Sequence, residues 1–344
     1  MKKLLALLLS LCLLGSIFVG CDKEMDDTPE ESTQSPTQTT KEPSATTDAA
    51  TTMPVPVLSL DETPTDCFKY SMSNDVCFIQ EYIGSYEHVV IPSKIQDKPV
   101  TMILQEAFCQ NSTVVSVVIP DSVTEIRNGA FRKCSSLETV ILSNNLVYLR
   151  SGAFAECTSL SYIRLPSTLK QLETEVFANC TSLRHINIPS SVKTWDPYAY
   201  TFENSGLETV ELEEGLEQIG IGAFCGTKLK SVMFPSSMRY IGGLAFSKCS
   251  QLKTVVLNEG LLSIPHGTFH QCDLREIVIP KTVKSVYKGA FIGCNSLASV
   301  KFEGNAPKHF DDDSNYAINF TIYYHSGAEG FTSPEWNGVP TKIW

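Results

Sequence analysis

A phenylalanine returns along most of this chain at Phe108, Phe131, Phe154, Phe177, Phe202, Phe224, Phe246, Phe269 and Phe291. The steps are 23, 23, 23, 25, 22, 22, 23 and 22 residues. A unit of that length cannot bury an apolar face alone, so successive copies must stack and share one continuous core. The other apolar positions keep constant offsets from the ring. From Val123 a copy reads V-x-x-I, a Gly-Ala-Phe turn, Cys, then L-x-x-V-x-L, often followed by Pro.

Two short strands per coil follow from this pattern. One is centred on Ile126, Leu149, Leu172, Trp195, Ile219, Ile241, Ile264 and Val286, the other on Val140, Ile163, Ile186, Val210, Val232, Val255, Ile277 and Val300. In V-x-L both apolar residues point to one side and the residue between them to the other. Prolines 92, 120, 166, 189, 235 and 280 end the second strand, because a missing N–H stops its ladder. The Gly-Ala-Phe segment is predicted to turn the ring inward through a single helical turn. Phe131, Phe154 and Phe177 are members of the resulting ring column.

Cys134, Cys157, Cys180, Cys249, Cys272 and Cys294 each lie three residues after a ring. Equivalent positions of stacked coils point the same way, and cysteine packs as a small apolar residue, so a structural ladder of free thiols is expected. Two copies lacking this cysteine, Phe202-Glu-Asn-Ser-Gly-Leu207 and Phe224-Cys-Gly-Thr-Lys-Leu229, are one residue shorter there. Phe269-His-Gln-Cys-Asp-Leu274 is equally short and keeps it. One copy is longer: Trp195-Asp-Pro-Tyr-Ala-Tyr-Thr-Phe202 carries two extra residues, predicted to bring Tyr198 and Tyr200 near the surface. An insertion within a repeat marks either a binding face or a tolerated loop.

The chain begins unlike the rest. Lys2 and Lys3 precede an apolar run over residues 4–14, too short to span a bilayer comfortably. Phe18-Val19-Gly20-Cys21 resembles the lipobox of bacterial lipoproteins, with Phe18 where leucine is usual. That resemblance implies a signal peptide over residues 1–20, diacylglycerol on Cys21, and attachment to a membrane by two acyl chains. Residues 21–65 are rich in Thr, Ser, Pro and acids, and Asp22 to Asp48 hold eight acids against two lysines. Such a segment cannot bury enough apolar surface to offset its ordering entropy and is expected to be a disordered tether, reaching roughly 35 Å. The total charge of −11 opposes nucleic-acid binding, which needs basic stripes.

Catalytic motifs do not emerge. The sequence holds no G-x-S-x-G, H-E-x-x-H, phosphate-cradling glycine loop or C-x-x-C. His266, His270 and Cys272 lie close together, but Cys272 belongs to the inward ladder, so no zinc site is expected. Asp311-Asp-Asp-Ser-Asn315 opens like a calcium loop, yet Tyr316 and Ile322 replace the required glycine and acid. No metal, cofactor or enzyme activity is expected. Function is left to the outward positions of the second strand. Central coils place Tyr162, Arg164, His185 and Asn187 there, residue types favoured at interface centres. Later coils place Met233, Val256 and Val278, an apolar stripe. The outward row of the first strand, with Tyr148, Arg150, Arg239, Tyr240 and Tyr287, competes with it.

The copies resemble the BspA-type (treponemal-like) leucine-rich repeats of bacterial surface proteins, from Phe68 to the C-terminal Trp344. The predicted fold is therefore an α/β, β-rich, leucine-rich-repeat-like solenoid. It has about nine coils of 22–25 residues, each with two short strands and a short helical turn. Residues 66–101, including Phe68-Lys-Tyr70 and Cys77-Phe-Ile79-Gln-Glu-Tyr82, read as a capping hairpin and leading segment. Residues 102–303 form the repeat solenoid and residues 304–344 a C-terminal cap. Cys67 and Cys77 flank the hairpin and stand either as a disulfide or as two free thiols. The resemblance implies adhesion or host interaction; with the lipobox-like start and the missing catalytic motifs, the expectation is a non-enzymatic, surface-displayed protein, monomeric, lipid-anchored in a bacterial envelope, binding an extracellular protein or glycan. The alternative is a structural or envelope-assembly lipoprotein with no external ligand.

Overall fold

A computed structural model describes residues 61–310 and 320–344 of the chain. The leader, Cys21, the tether up to residue 60 and the acidic run from Asp311 to Asn315 lie outside the described residues. The described residues form a β-solenoid of about 11 turns with almost no helix; a single 3₁₀ turn, Thr65–Cys67, precedes the first strand. The coil count exceeds the expected nine because the segments flanking the repeats also coil, although they lack the Phe-Cys signature.

On one side, the strands Val76–Tyr82, Lys98–Ile103, Glu125–Ile126, Tyr148–Leu149, Gln171–Leu172 and Thr194–Trp195 pair in parallel, each with the next. Phe68–Ser73 folds antiparallel on Val76–Tyr82 and covers the first edge. The sheet then breaks, resumes with Gln218–Ile219 and Tyr240–Ile241, and ends with Ser263–Ile264, Ser285–Val286 and His309–Phe310. The second strands build the other side. His88–Val90, Ser116–Val118, Thr139–Ile141 and Tyr162–Ile163 form one ladder, followed by the pairs His185–Ile188/Thr209–Leu212 and Ser231–Met233/Thr254–Val256. Glu276–Ile279, Ser299–Phe302, Thr321–Tyr324 and Val339–Ile343 complete it, with Glu335–Trp336 antiparallel on the last strand.

Between the sheets runs the ring column. Successive rings from Phe108 to Phe291 stack with centroids 4.6 Å apart at the closest and 6.1 Å at the widest. Each such pair adds about 0.5–1.5 kcal/mol beyond the area it buries. Tyr82 continues the stack at 5.0 Å before Phe108, and Phe320 closes it edge-on at 6.3 Å beyond Phe291. The residues at the strand centres are buried except Trp195 and Val210, which are half-buried, as is Leu212 at the end of the same strand as Val210.

The Gly-Ala-Phe turn is not helical. In the coil of Phe131 its N–H groups point alternately to the next coil and to its own turn. Gly129, Phe131 and Lys133 donate to the carbonyls of Ser151, Ala153 and Ala155, at 3.0, 2.8 and 2.8 Å. Ala130, Arg132 and Cys134 donate to Arg127, Gly129 and Phe131, at 3.1, 2.9 and 3.2 Å. Half of the donors are thus used between coils, where a helix would keep them all within. The alternation requires left-handed backbone at two positions per turn, seen at Gly129 and Lys133 (φ 61° and 62°) and again at Gly222 and Gly226 (φ 62° and 70°).

The thiols at Cys134, Cys157, Cys180, Cys249, Cys272 and Cys294 are buried and free. Each donates to the carbonyl of the ring residue one coil earlier: Cys134 Sγ to Phe108 O at 3.0 Å, Cys180 Sγ to Phe154 O at 3.1 Å. In the shortened coils the same place is held by Ser205 and Thr227, whose backbone N–H groups bond Phe202 O and Phe224 O as the cysteines' do. The column is therefore one of small side chains rather than of cysteine as such: the Thr227 hydroxyl donates to Phe224 O of its own coil, and the buried Ser205 hydroxyl has no partner.

Cys67 and Cys77 are likewise both free. The hairpin register explains why they do not pair: Cys77 lies opposite Met72, and Phe68 opposite Tyr82, which puts the two cysteines toward opposite ends of the hairpin. Cys77 is fully buried, while the Cys67 thiol lies 3.7 Å from Asp66 Oδ1.

Candidate functional site

Parallel pairing in register lines up the outward residues of the second strands. Met233 lies directly beside Val256 on adjacent strands, 71% and 46% exposed. The hydrogen-bonded register stops there: Val278 starts the next sheet, is only half-buried, and pairs with Lys301. Nearer the middle, Arg164 is exposed and Tyr162 half-buried. His185 sets Nδ1 2.9 Å from Thr209 Oγ1. Partial burial lowers the His185 pKa, and Arg164 adds to the effect against an opposing pull from Glu211, so the imidazole is neutral near pH 7.

Asn187 does not join this surface. It is 2% exposed, and its amide grips the backbone of the preceding coil. Leu165 N–H donates to Asn187 Oδ1, and Asn187 Nδ2 donates to Leu165 O, both at 2.9 Å. The side chain replaces the main-chain ladder, which at this level ends with the two-residue strand Tyr162–Ile163. The expectation that Asn187 faces a partner is corrected accordingly.

The competing row carries a charge cluster. The Arg150 guanidinium reaches Glu125 at 2.9 Å and Glu173 at 2.7 Å and lies 4.5 Å from the centre of the Tyr148 ring. Glu173 also accepts from Ser151 N–H and Oγ, at 2.9 and 3.0 Å, which ties one coil to the next. These groups border an open groove of about 690 Å³ that includes Gln80, Gln105 and Arg127. Its charges already satisfy one another. Farther along, Tyr240 and Tyr287 are 56% and 43% exposed, and Arg239 donates to Ser236 O and Met238 O.

The insertion separates its two tyrosines. Tyr198 is 70% exposed. Tyr200 instead lies over Gly222, where an added Cβ would stand 2.5 Å from its ring, and its N–H donates to Ile221 O at 3.1 Å. Tyr200 is thus half-buried, and burial raises its phenol pKa; its predicted place at the surface is corrected. Beside the insertion is a smaller cleft of about 220 Å³, lined by residues including Trp195, Asp196, Gln218 and Tyr240. Sequence reasoning passed over the feature that shapes it, glycine directly after the inward isoleucine in two successive copies, Ile219-Gly220 and Ile241-Gly242.

Among the described residues no group of three or more His, Cys, Asp or Glu is placed to hold a metal ion, and no helix is long and apolar enough to cross a membrane. His266 and His270 turn to different partners, Lys288 O and Ser247 Oγ, while the Cys272 thiol points inward to Phe246 O.

No curated protein matches the chain. Among solved structures, a leucine-rich repeat protein from Bacteroides ovatus is similar at 23% identity and a TM-score of 0.60, covering 84% of this chain and 76% of that one. A T. pallidum leucine rich repeat protein is 28% identical over 69% of this chain and 91% of its own, with a TM-score of 0.47. A leucine rich cell surface protein from Faecalibacterium prausnitzii is 21% identical over 83% and 98%, with a TM-score of 0.34. The last two superpose less well, and among these structures the likeness in fold rests on the first. The profile of the BspA type leucine rich repeat region (6 copies) matches residues 74–201 and 198–298, well over half of the chain. With its period, ring column and paired sheets, the chain belongs to the BspA-type leucine-rich-repeat family.

Proposed function

We propose that this protein is a non-enzymatic binding protein displayed on a bacterial surface, held to the membrane by diacylglycerol on Cys21, that recognises an extracellular protein through its second-strand sheet. The anchor is supported by the Phe18-Val19-Gly20-Cys21 stretch and the acidic tether behind it. One observation carries the choice of surface: Met233 and Val256 stand adjacent and exposed on neighbouring strands of a rigid sheet. A lone exposed apolar side chain needs no explanation, whereas neighbours on a surface built from repeats favour a partner. Arg164, Tyr162 and His185 supply the polar flank that such interfaces carry around an apolar centre.

The test is a binding screen of the purified chain against extracellular proteins and glycans. Beside it run a variant carrying Met233→Ser and Val256→Ser and a second carrying Tyr162→Ser, Arg164→Ser and His185→Ser. A protein hit weakened about tenfold or more by either variant supports the reading, since buried interface anchors contribute upwards of 1–2 kcal/mol each. A glycan hit with the same dependence keeps the surface and changes the partner. A hit indifferent to both variants removes the sheet from the proposal, and the absence of any hit favours an envelope-assembly role.

A further inference from the structure

One outward row of the second strands reads alike from either end. At its centre is the buried Asn187. Arg164 stands on the coil before it and Glu211 on the coil after, then Ile141 and Met233, then Val118 and Val256. Ladder register sets Val118 beside Ile141, Asn187 beside Glu211 and Met233 beside Val256. Arg164 follows Ile163, which pairs with Val140, and the strand of Glu211 lies next to that of Met233. Opposite charges thus flank the centre at equal distance, and two apolar residues follow each of them.

The two charges are free to meet something else. Arg164 and Glu211 are exposed, and among the described residues neither side chain makes a hydrogen bond or an ion pair. They stand two strand spacings apart, roughly 10 Å, too far to pair with each other. Arg150 on the opposite sheet differs, since Glu125 and Glu173 hold it from both sides. Between the free charges the Asn187 amide turns back onto Leu165, so no side chain stands up at the centre.

A two-fold interface uses the same patch on both subunits, with each residue meeting its counterpart's opposite number. We propose that the partner of the second-strand sheet is a second copy of this chain, laid antiparallel about an axis that runs along the strands at Asn187. The proposal rests on that sheet being the binding surface, and it replaces the monomer expected from the sequence. Rotation about this axis reverses the order of coils and keeps each row facing its own counterpart. Arg164 then meets Glu211 of the second copy, twice over, while Ile141 faces Met233 and Val118 faces Val256. In the neighbouring row Tyr162 faces Thr209, and His185 faces its own counterpart. A parallel copy would bring neither charge to its opposite and would desolvate both unpaired. The strip crosses seven strands, roughly 30 Å by 10 Å, well below the ~800 Å² per partner of a standard interface. A single pair is therefore weak, and many copies displayed on facing surfaces would hold by avidity.

Sedimentation equilibrium of the full chain tests this, at concentrations from about 5 to about 500 μM. A reversible monomer–dimer equilibrium is expected within that range. Arg164→Glu alone and Glu211→Arg alone should each weaken it about tenfold or more, because like charges then face each other. Mixing the two variants should restore association, since opposite charges meet again across the mixed pair, and so should a chain carrying both changes. Acyl chains or the leader would associate without regard to these charges, and a misfolded variant would not be rescued by mixing. The proposal is overturned if the chain stays monomeric throughout, if association ignores the single reversals, or if the mixture does not recover. A foreign protein bound through Met233 and Val256 by a chain that remains monomeric would keep the sheet as the binding surface and remove only the second copy. Self-association and a foreign hit that both ignore every sheet variant would remove both proposals.

Discussion

Asn187 shows how one side chain can take over the work of a strand. Its carboxamide offers one donor and one acceptor to Leu165, the same pair that a neighbouring backbone would present. Replacing it with alanine strands both groups in a buried setting, so Asn187→Ala should lower stability by about 1–3 kcal/mol while leaving partner binding unchanged; urea denaturation beside the binding assay checks both halves. The pattern V-x-L could not reveal this, because alternation assigns Asn187 outward whatever its chemistry. The thiols carry a second residue-scale consequence. Burial pushes Cys180 up to about 12 and Cys225 and Cys294 up to about 11, from an ordinary 9.0. As pH climbs past about 9, the unfolded chain loses these protons while the folded chain keeps them. The contribution is therefore whole below about 9 and disappears as pH rises toward 11–12. Urea midpoints should fall between about pH 8 and about pH 10, and Cys180→Ala should show a shallower fall.

At the level of the coil, strands and turn obey different rules. The strands were legible because apolar periodicity fixes which side chains point inward, and the ring column follows from equal spacing alone. The turn was not, since a Gly-Ala-Phe segment suits a helical turn locally. Its real conformation is set by donors that reach the next coil, a contact no single copy contains. Phe154→Ala empties a fully buried place between two stacked rings and should cost ~3–5 kcal/mol; an unchanged melting temperature would contradict the stacked column. The glycines divide sharply. Gly242→Ala drives a methyl into the backbone of the coil before it and should cost about 1–3 kcal/mol or more. Its neighbour Gly243 has only the His266 carbonyl near, at 3.2 Å, so Gly243→Ala should be the milder change by the same melting assay.

Across the whole solenoid, stability comes from contacts between adjacent coils, so a weak junction stays local. The seam between Thr194–Trp195 and Gln218–Ile219 is such a junction. Amide exchange should be faster at Gly220 than at Gly242, whose N–H donates to Ile219 O at 2.8 Å. Equal protection at the two glycines would show that the seam is closed in solution. Its position was half legible: the insertion stood out, but the loss of pairing beside it depends on how far the chain is lifted. The ring column has a further use. Ring-to-ring distance stays between 4.6 and 6.1 Å although copies range from 22 to 25 residues. Surplus residues bulge elsewhere, and the column keeps count of copies rather than of amino acids. The molecule is thus built of interchangeable parts. A chain lacking residues 132–154, one whole period, should still fold cooperatively with a lowered melting temperature. One lacking about half a period should instead melt in two steps, because the rings on either side of the deletion would no longer meet and the two halves would be uncoupled.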